Sequence, residues 1–234
     1  MMHDSFATAL DELARADDPR HYGVTFVRLF PVTGAAVSTL GDLLGSETLS
    51  ATDERAARLD ELQFDLGEGP CWDALRSGRP VSEPAMGTGG RTRWPAFADA
   101  ARAEDVTSMF AFPLVVGPLR IGAVDLYSRE RLDLSETQTR RASALAEVVG
   151  RNVLRSALKS VDELEPTSNP HSRRVVHQAT GVVLAQLDIS ADDAQLVVQA
   201  HAFTTGRAVM DVATDVVSGA LRFQRVDGRI EVMS

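Results

Sequence analysis

The chain has 234 residues, 44% of them hydrophobic, and a formal net charge of −9. That content supports one or two packed domains and excludes wholesale disorder, while the acidity argues against a broadly basic nucleic-acid or membrane surface. A single cysteine, Cys71, excludes an intramolecular disulfide and a Cys-rich metal centre, and no apolar run reaches the roughly 18–20 residues needed to span a bilayer. The N-terminus is acidic and lacks the basic-then-apolar order of a signal peptide, so a reducing cytoplasm is the expected compartment.

Along the chain, Phe6, Ala9, Leu10 and Leu13 recur at helical spacing. GVTFVRLFPV fits either a helix or a strand. AAVSTLGD and SETLSAT read as short strands, and Asp53 suits the N-cap of a helix carrying Ala56, Leu59, Leu62 and Gln63. Pro70 and Pro95 suit first helical positions, opening PCWDALRS and PAFADAARAE. VTSMFAFPLVV and RIGAVDLYS are strand candidates around a Gly-Pro turn.

From Ser135 to about Leu164 the pattern is one long helix with Leu145, Val148, Val149, Val153, Leu154, Leu158 and Val161 on a stripe. It suits either packing on its own sheet or a homodimer seam through residues 135–164. EPTSNP, at 165–170, reads as a linker. Before Pro170 there are 18 basic and 26 acidic residues; after it there are 6 and 7, so the C-terminal part is nearly neutral. Three amphipathic helices follow: about Arg173–Leu187, a second capped by Ser190 with Asp193 three residues on, and about Ala208–Val217. Short joins between them imply a small bundle. The class is therefore α+β, with an N-terminal mixed domain (1–134), a connecting helix and linker (135–170), a three-helix domain (171–222) and a tail (223–234).

DELQFDLGEGPCWDALRSGRPV, followed by RTRWPAFADAARAEDVTSMFAFPLVVGPLRIGAVDLYS, resembles the GAF sensor domains of actinobacterial regulators. HQATGVVLAQLDISADDAQLVVQAHAFTTGRAVMDVATDVV resembles the ANTAR domain. The first resemblance implies an antiparallel sheet flanked by helices, often with a small-molecule pocket. The second implies a three-helix module that binds paired RNA hairpins and blocks transcription termination. The ANTAR pattern often carries Lys where Thr180 stands and Leu-Arg where Val198-Gln199 stands.

On that resemblance, the expected partners are hairpin leader transcripts, a second copy of the chain and an unidentified small molecule at the GAF domain, with no cofactor, metal or membrane. Arg173, Arg174, His177, Gln178, Thr180 and Arg207 are the RNA-contact candidates, because Arg grips phosphate and polar side chains address exposed base edges. Phe64, Cys71, Trp72, Trp94, Phe110 and Phe112 are the pocket candidates. Cys71 opens a short helix, where a helix N-terminus lowers a thiol pKa; it suits either a buried structural residue or a one-thiol redox sensor. Catalysis is not expected, because no resolving Cys and no nucleophile-base order is present. The alternative function is a protein-interaction or redox-sensing regulator whose ANTAR bundle has weak or lost RNA binding. Interior Gly181 costs a helix about 0.5–1 kcal/mol relative to Ala, so close approach of another helix, or else of RNA, is expected there.

Overall fold

Thirteen residues, Met2–Ala14, form α1, and Arg20–Leu29 form α2, which settles the ambiguous GVTFVRLFPV stretch as a helix. The computed structural model describes residues 2–41, 44–162, 173–226 and 228–233. Strands β1 (Gly34–Thr39) and β2 (Glu47–Ala51) follow, then α3 (Glu54–Leu66). Asp53 caps α3 by accepting the Ala56 amide at 2.9 Å. Next come α4 (Pro70–Ser77), β3 (Val81–Glu83), a π-helical turn (Met86–Gly90), α5 (Arg91–Arg93) and α6 (Pro95–Ala103). Strands β4 (Ser108–Val116) and β5 (Leu119–Ser128) lead into α7 (Glu136–Asp162). Ser135 and Gln138 cap α7 reciprocally, Oγ to one amide and Oε1 to the other.

These elements build the first of two compact units. Its sheet is antiparallel in the order β2-β1-β5-β4-β3. The period-2 alternation of the strands divides their side chains between two faces. Val37, Phe110, Phe112, Leu114, Val124 and Leu126 point into a core shared with Tyr22 and Phe26 of α2 and Leu145, Val149 and Val153 of α7. Ala36, Ser38, Ala123 and Asp125 point to the other face, where Leu40 and Ala123 meet Cys71 and Trp72 of α4.

Helix α7, read from sequence as a connector, thus supplies a wall of this core. Its stripe through Val153 is spent on its own sheet, and Asn152 ties it to the end of α1 by donating to the Leu13 carbonyl at 2.7 Å. Beyond that point Leu154 is partly buried and Leu158 is 62% exposed. The linker expected at 165–170, and the end of the helix near Leu164, lie outside the described residues.

The second unit holds α8 (Arg174–Leu187), α9 (Ala191–Thr205) and α10 (Val209–Ser218). Val176, Ala179, Val183, Ala194, Val198, Ala202, Val209, Val212, Ala213 and Val216 form its interior. Ser190 caps α9 as expected: its Oγ accepts the Asp193 amide at 3.1 Å and donates to the Asp193 carboxylate at 2.8 Å. Asp188 ends α8 in the left-handed conformation, which Asp tolerates better than most side chains. The stretch expected as a tail is instead a hairpin of β6 (Arg222–Val226) and β7 (Arg229–Met233).

Candidate ligand face and RNA interface

In the first unit, the two sequence signatures prove to be one clasp. Glu68 of GEGP accepts the Phe97 amide at 2.8 Å, capping α6. Asp73 of α4 accepts the Trp94 indole N–H at 3.1 Å and pairs with Arg93, whose guanidinium also lies 4.2 Å from the Trp94 ring centroid. GEGPCWDAL supplies the acceptors, and RWPAF the donors, of these two hydrogen bonds.

Beneath the clasp, Gln63 of α3 joins three elements. Its Nε2 donates to Asp125 of β5 at 2.6 Å, its Oε1 accepts the Cys71 amide at 2.9 Å, and its backbone carbonyl accepts the Trp72 indole N–H at 2.7 Å. Gly69 is required here: its φ is +136°, and a Cβ would fall 2.5 Å from the Gln63 Oε1. Buried Asp60 accepts from Ser38 at 2.7 Å and from Thr48. Asp125 is buried, and its Oδ1 has no hydrogen-bond partner among the described residues.

Burial pushes the Asp125 carboxyl well above the usual carboxylate range, and the nearby charge of Asp60 pushes the same way against the Gln63 hydrogen bond. The native residue therefore keeps a proton that an unfolded Asp, with a pKa of about 4, has lost. Its contribution to stability is fully present below about pH 4 and is lost as pH rises through the raised native value. Asp125→Asn is expected to flatten that loss and to melt no lower than the native chain at pH 8. Melting curves from pH 4 to 9 check this; a variant keeping the native pH slope contradicts it.

The pocket candidates do not converge. Phe64 and Trp72 stack at 6.4 Å between ring centroids, with Cys71 and Trp94 belonging to the same side of the sheet through α4. Phe110 and Phe112 lie in the opposite core, under α2 and α7. A groove of about 480 Å³ between α1 and α2, lined by Leu13, His21 and Val24, includes none of the six. Cys71 is 1% exposed against Leu40 and Ala123, a setting in which thiols are inert. Its thiol should react with a disulfide reagent at least ~100-fold more slowly in the native chain than in denaturant, as protection by burial requires; rapid native labelling would revive the redox-sensor reading.

In the second unit, the exposed stripe of α8 carries Arg174, His177, Gln178, Gly181, Leu184 and Ala185. Three of the RNA-contact candidates fall on it. The others do not. Arg173 is only 4% exposed; Thr180 is buried, with its hydroxyl donating to the Val176 carbonyl at 2.8 Å; Arg207 is ion-paired to Asp215 at 2.7 Å. Thr180 stands where the family pattern often has Lys, yet its side chain turns into the bundle, so the missing charge is not missing from the open stripe. No helix packs beside Gly181 among the described residues: a Cβ there would meet nothing within 4 Å.

Comparison with known proteins fits both units. Residues 3–153 match the GAF domain family. This chain belongs to that family. Residues 167–217 match the ANTAR domain, so the second unit is an ANTAR bundle. No curated protein matches the chain. Among solved structures, the GAF unit is similar to the GAF domain of a phosphoenolpyruvate-protein phosphotransferase from Coxiella burnetii, with a TM-score of 0.55 at 13% identity over 68% of this chain and 96% of that one. It is similar to the corresponding domain from Acinetobacter, with a TM-score of 0.51 at 9% identity over 70% and 96%. A free methionine-R-sulfoxide reductase from Neisseria meningitidis, in complex with its substrate, gives 0.50 at 12% identity over 68% and 91%. At these identities the likeness establishes the fold alone.

A GAF domain joined to an ANTAR domain is the composition of a signal-transducing regulator, and no catalytic family is indicated. No helix among the described residues is long and apolar enough to cross a membrane. Two features escaped the sequence reading. The Gln63–Asp125 bridge is signalled by an Asp inside the apolar run GAVDLYS; the hairpin is signalled by the Asp-Gly pair between the alternating runs RFQRV and RIEVM.

Proposed function

We propose that this GAF–ANTAR protein is a signal-responsive antitermination regulator whose bundle binds paired RNA hairpins. One observation carries the reading: the open stripe of α8 sets Arg174, His177 and Gln178 beside Gly181, a helix-interior glycine with empty space over it. A nucleic-acid backbone can approach a helix most closely where no Cβ intervenes, and that approach offsets the helix cost of glycine. Arg174 supplies phosphate contact, and His177 and Gln178 address exposed base edges in a loop. A second copy of the chain presents the stripe twice, matching two hairpins on one transcript and gaining from their effective concentration. The signal, a small molecule at the GAF unit, controls whether both stripes engage. The test is transcription of a leader carrying two hairpins before a terminator: adding the protein should raise read-through, and Arg174→Ala with Gln178→Ala should abolish the gain. Unchanged read-through with the native protein at every signal state sinks the proposal.

A protein-docking regulator is the second reading, favoured by Leu196 and Phe203 on α9, 61% and 68% exposed. On that reading, Leu196→Asp with Phe203→Asp abolishes function in cells while RNA affinity stays at its native value.

A further inference from the structure

We propose that the C-terminal hairpin β6–β7 is a second RNA contact, a basic ribbon that grips the phosphate backbone beside α8; this rests on the RNA-binding reading above. The ANTAR match ends at residue 217, and the hairpin lies wholly beyond it. Of the six arginines after Pro170, Arg173 is buried and Arg207 is paired to Asp215. Arg174 stands on α8; the other three, Arg222, Arg225 and Arg229, are all exposed on the hairpin. The unit otherwise carries Asp188, Asp192, Asp193, Asp211 and Asp215 along its helices, so the ribbon and the start of α8 hold its accessible positive charge. Glu231 on β7, opposite Gln224, is the one acidic side chain on the described residues of β6 and β7.

The ribbon is fixed in place rather than trailing. The Phe223 amide donates to the Gln186 Oε1 of α8 at 2.9 Å, and the Phe223 ring meets His201 of α9 edge-on at 5.6 Å. Before it, the Leu221 amide donates to the Asp215 carbonyl of α10 at 3.0 Å. The antiparallel register places Arg222 and Arg229 on one face of the ribbon and Arg225 on the other, beside Phe223 in alternation. Arg222 and Arg225 are about 10 Å apart along the strand, at about 3.3 Å per residue. A rigid ribbon with guanidinium groups on both faces suits phosphate oxygens on either side of a groove, and Arg binds these bidentately. Such contacts position RNA without reading its sequence.

Full-length protein carrying Arg222→Gln, Arg225→Gln and Arg229→Gln is titrated with a two-hairpin RNA across a salt series, beside the native chain and Glu231→Arg. The native chain should bind. The triple variant should bind at least about tenfold more weakly, with the slope of log affinity against log salt shallower by about 2 to 3, and Glu231→Arg should steepen it by about 1. If the native chain binds but both variants match it, the hairpin proposal is overturned and the RNA reading stands. If the native chain does not bind, both fall. If RNA affinity is unchanged while the triple variant alters the sedimenting mass, the hairpin is an interface between copies, and the proposal is likewise overturned. Should the triple variant fail to fold, Glu231→Arg alone decides: a steeper slope supports the ribbon contact and an unchanged slope overturns it.

Discussion

Gln63→Ala is expected to destabilise the GAF unit by about 3–4 kcal/mol, a large fraction of the roughly 5–15 kcal/mol that holds a domain folded. The side chain is fully buried and satisfies two elements at once. Truncation strands the Cys71 amide at the start of α4, removes the donor from Asp125, and leaves a void beside Gly69, against which the Gln63 side chain packs. Gln63→Glu separates the two causes. It keeps the volume and the acceptor for Cys71, but sets a third carboxyl near Asp60 and Asp125, so it should be tolerated at acidic pH and fail at neutral pH. Chemical denaturation of the full chain, followed by tryptophan fluorescence, measures both, since Trp72 and Trp94 both lie in this unit. A Gln63→Ala midpoint within error of the native value contradicts the bridge.

Gly181→Glu is expected to abolish RNA binding, with a loss of roughly 100-fold or more, while leaving the bundle folded. The position is open, so the side chain fits; the charge then faces the phosphates that Arg174 attracts. Gly181→Ala is the sharper probe. Replacing a helix-interior glycine that has space should raise bundle stability by about 0.5–1 kcal/mol. If RNA approaches that face closely, the same methyl lowers affinity, so stability and binding move in opposite directions. If neither variant alters affinity, RNA does not contact the α8 stripe.

Much of the fold is legible because local signals agree with tertiary packing. The two long strands read as continuous apolar runs around a Gly-Pro turn, Pro70 and Pro95 start helices, and Ser190 caps α9. The site is less legible, because exposure depends on which way each residue faces. Arg173 and Arg174 are adjacent in sequence but one is buried and the other open, as a step of about 100° on a helix allows. Thr180 and Gly181 divide in the same way. Residue type alone groups Phe110 and Phe112 with Trp72, yet strand parity assigns them to the opposite core with Leu114. The stripe on α7 was readable, but not its recipient: a helix that covers its own sheet and one that seeks a partner show the same spacing. Gln63 reads as one more helical position until β5 is laid against it, since the residues joined are 62 apart.

The central claim is that the open stripe of α8 holds paired hairpins. Its most direct test is titration of full-length protein with a two-hairpin leader RNA at low salt, against the same RNA with both loops scrambled and against the Arg174→Ala, Gln178→Ala variant. The expected result is tighter binding of the intact leader by at least about tenfold, about 1.4 kcal/mol, with that preference lost in the variant. Equal affinity for intact and scrambled RNA, or a preference that survives in the variant, would contradict it.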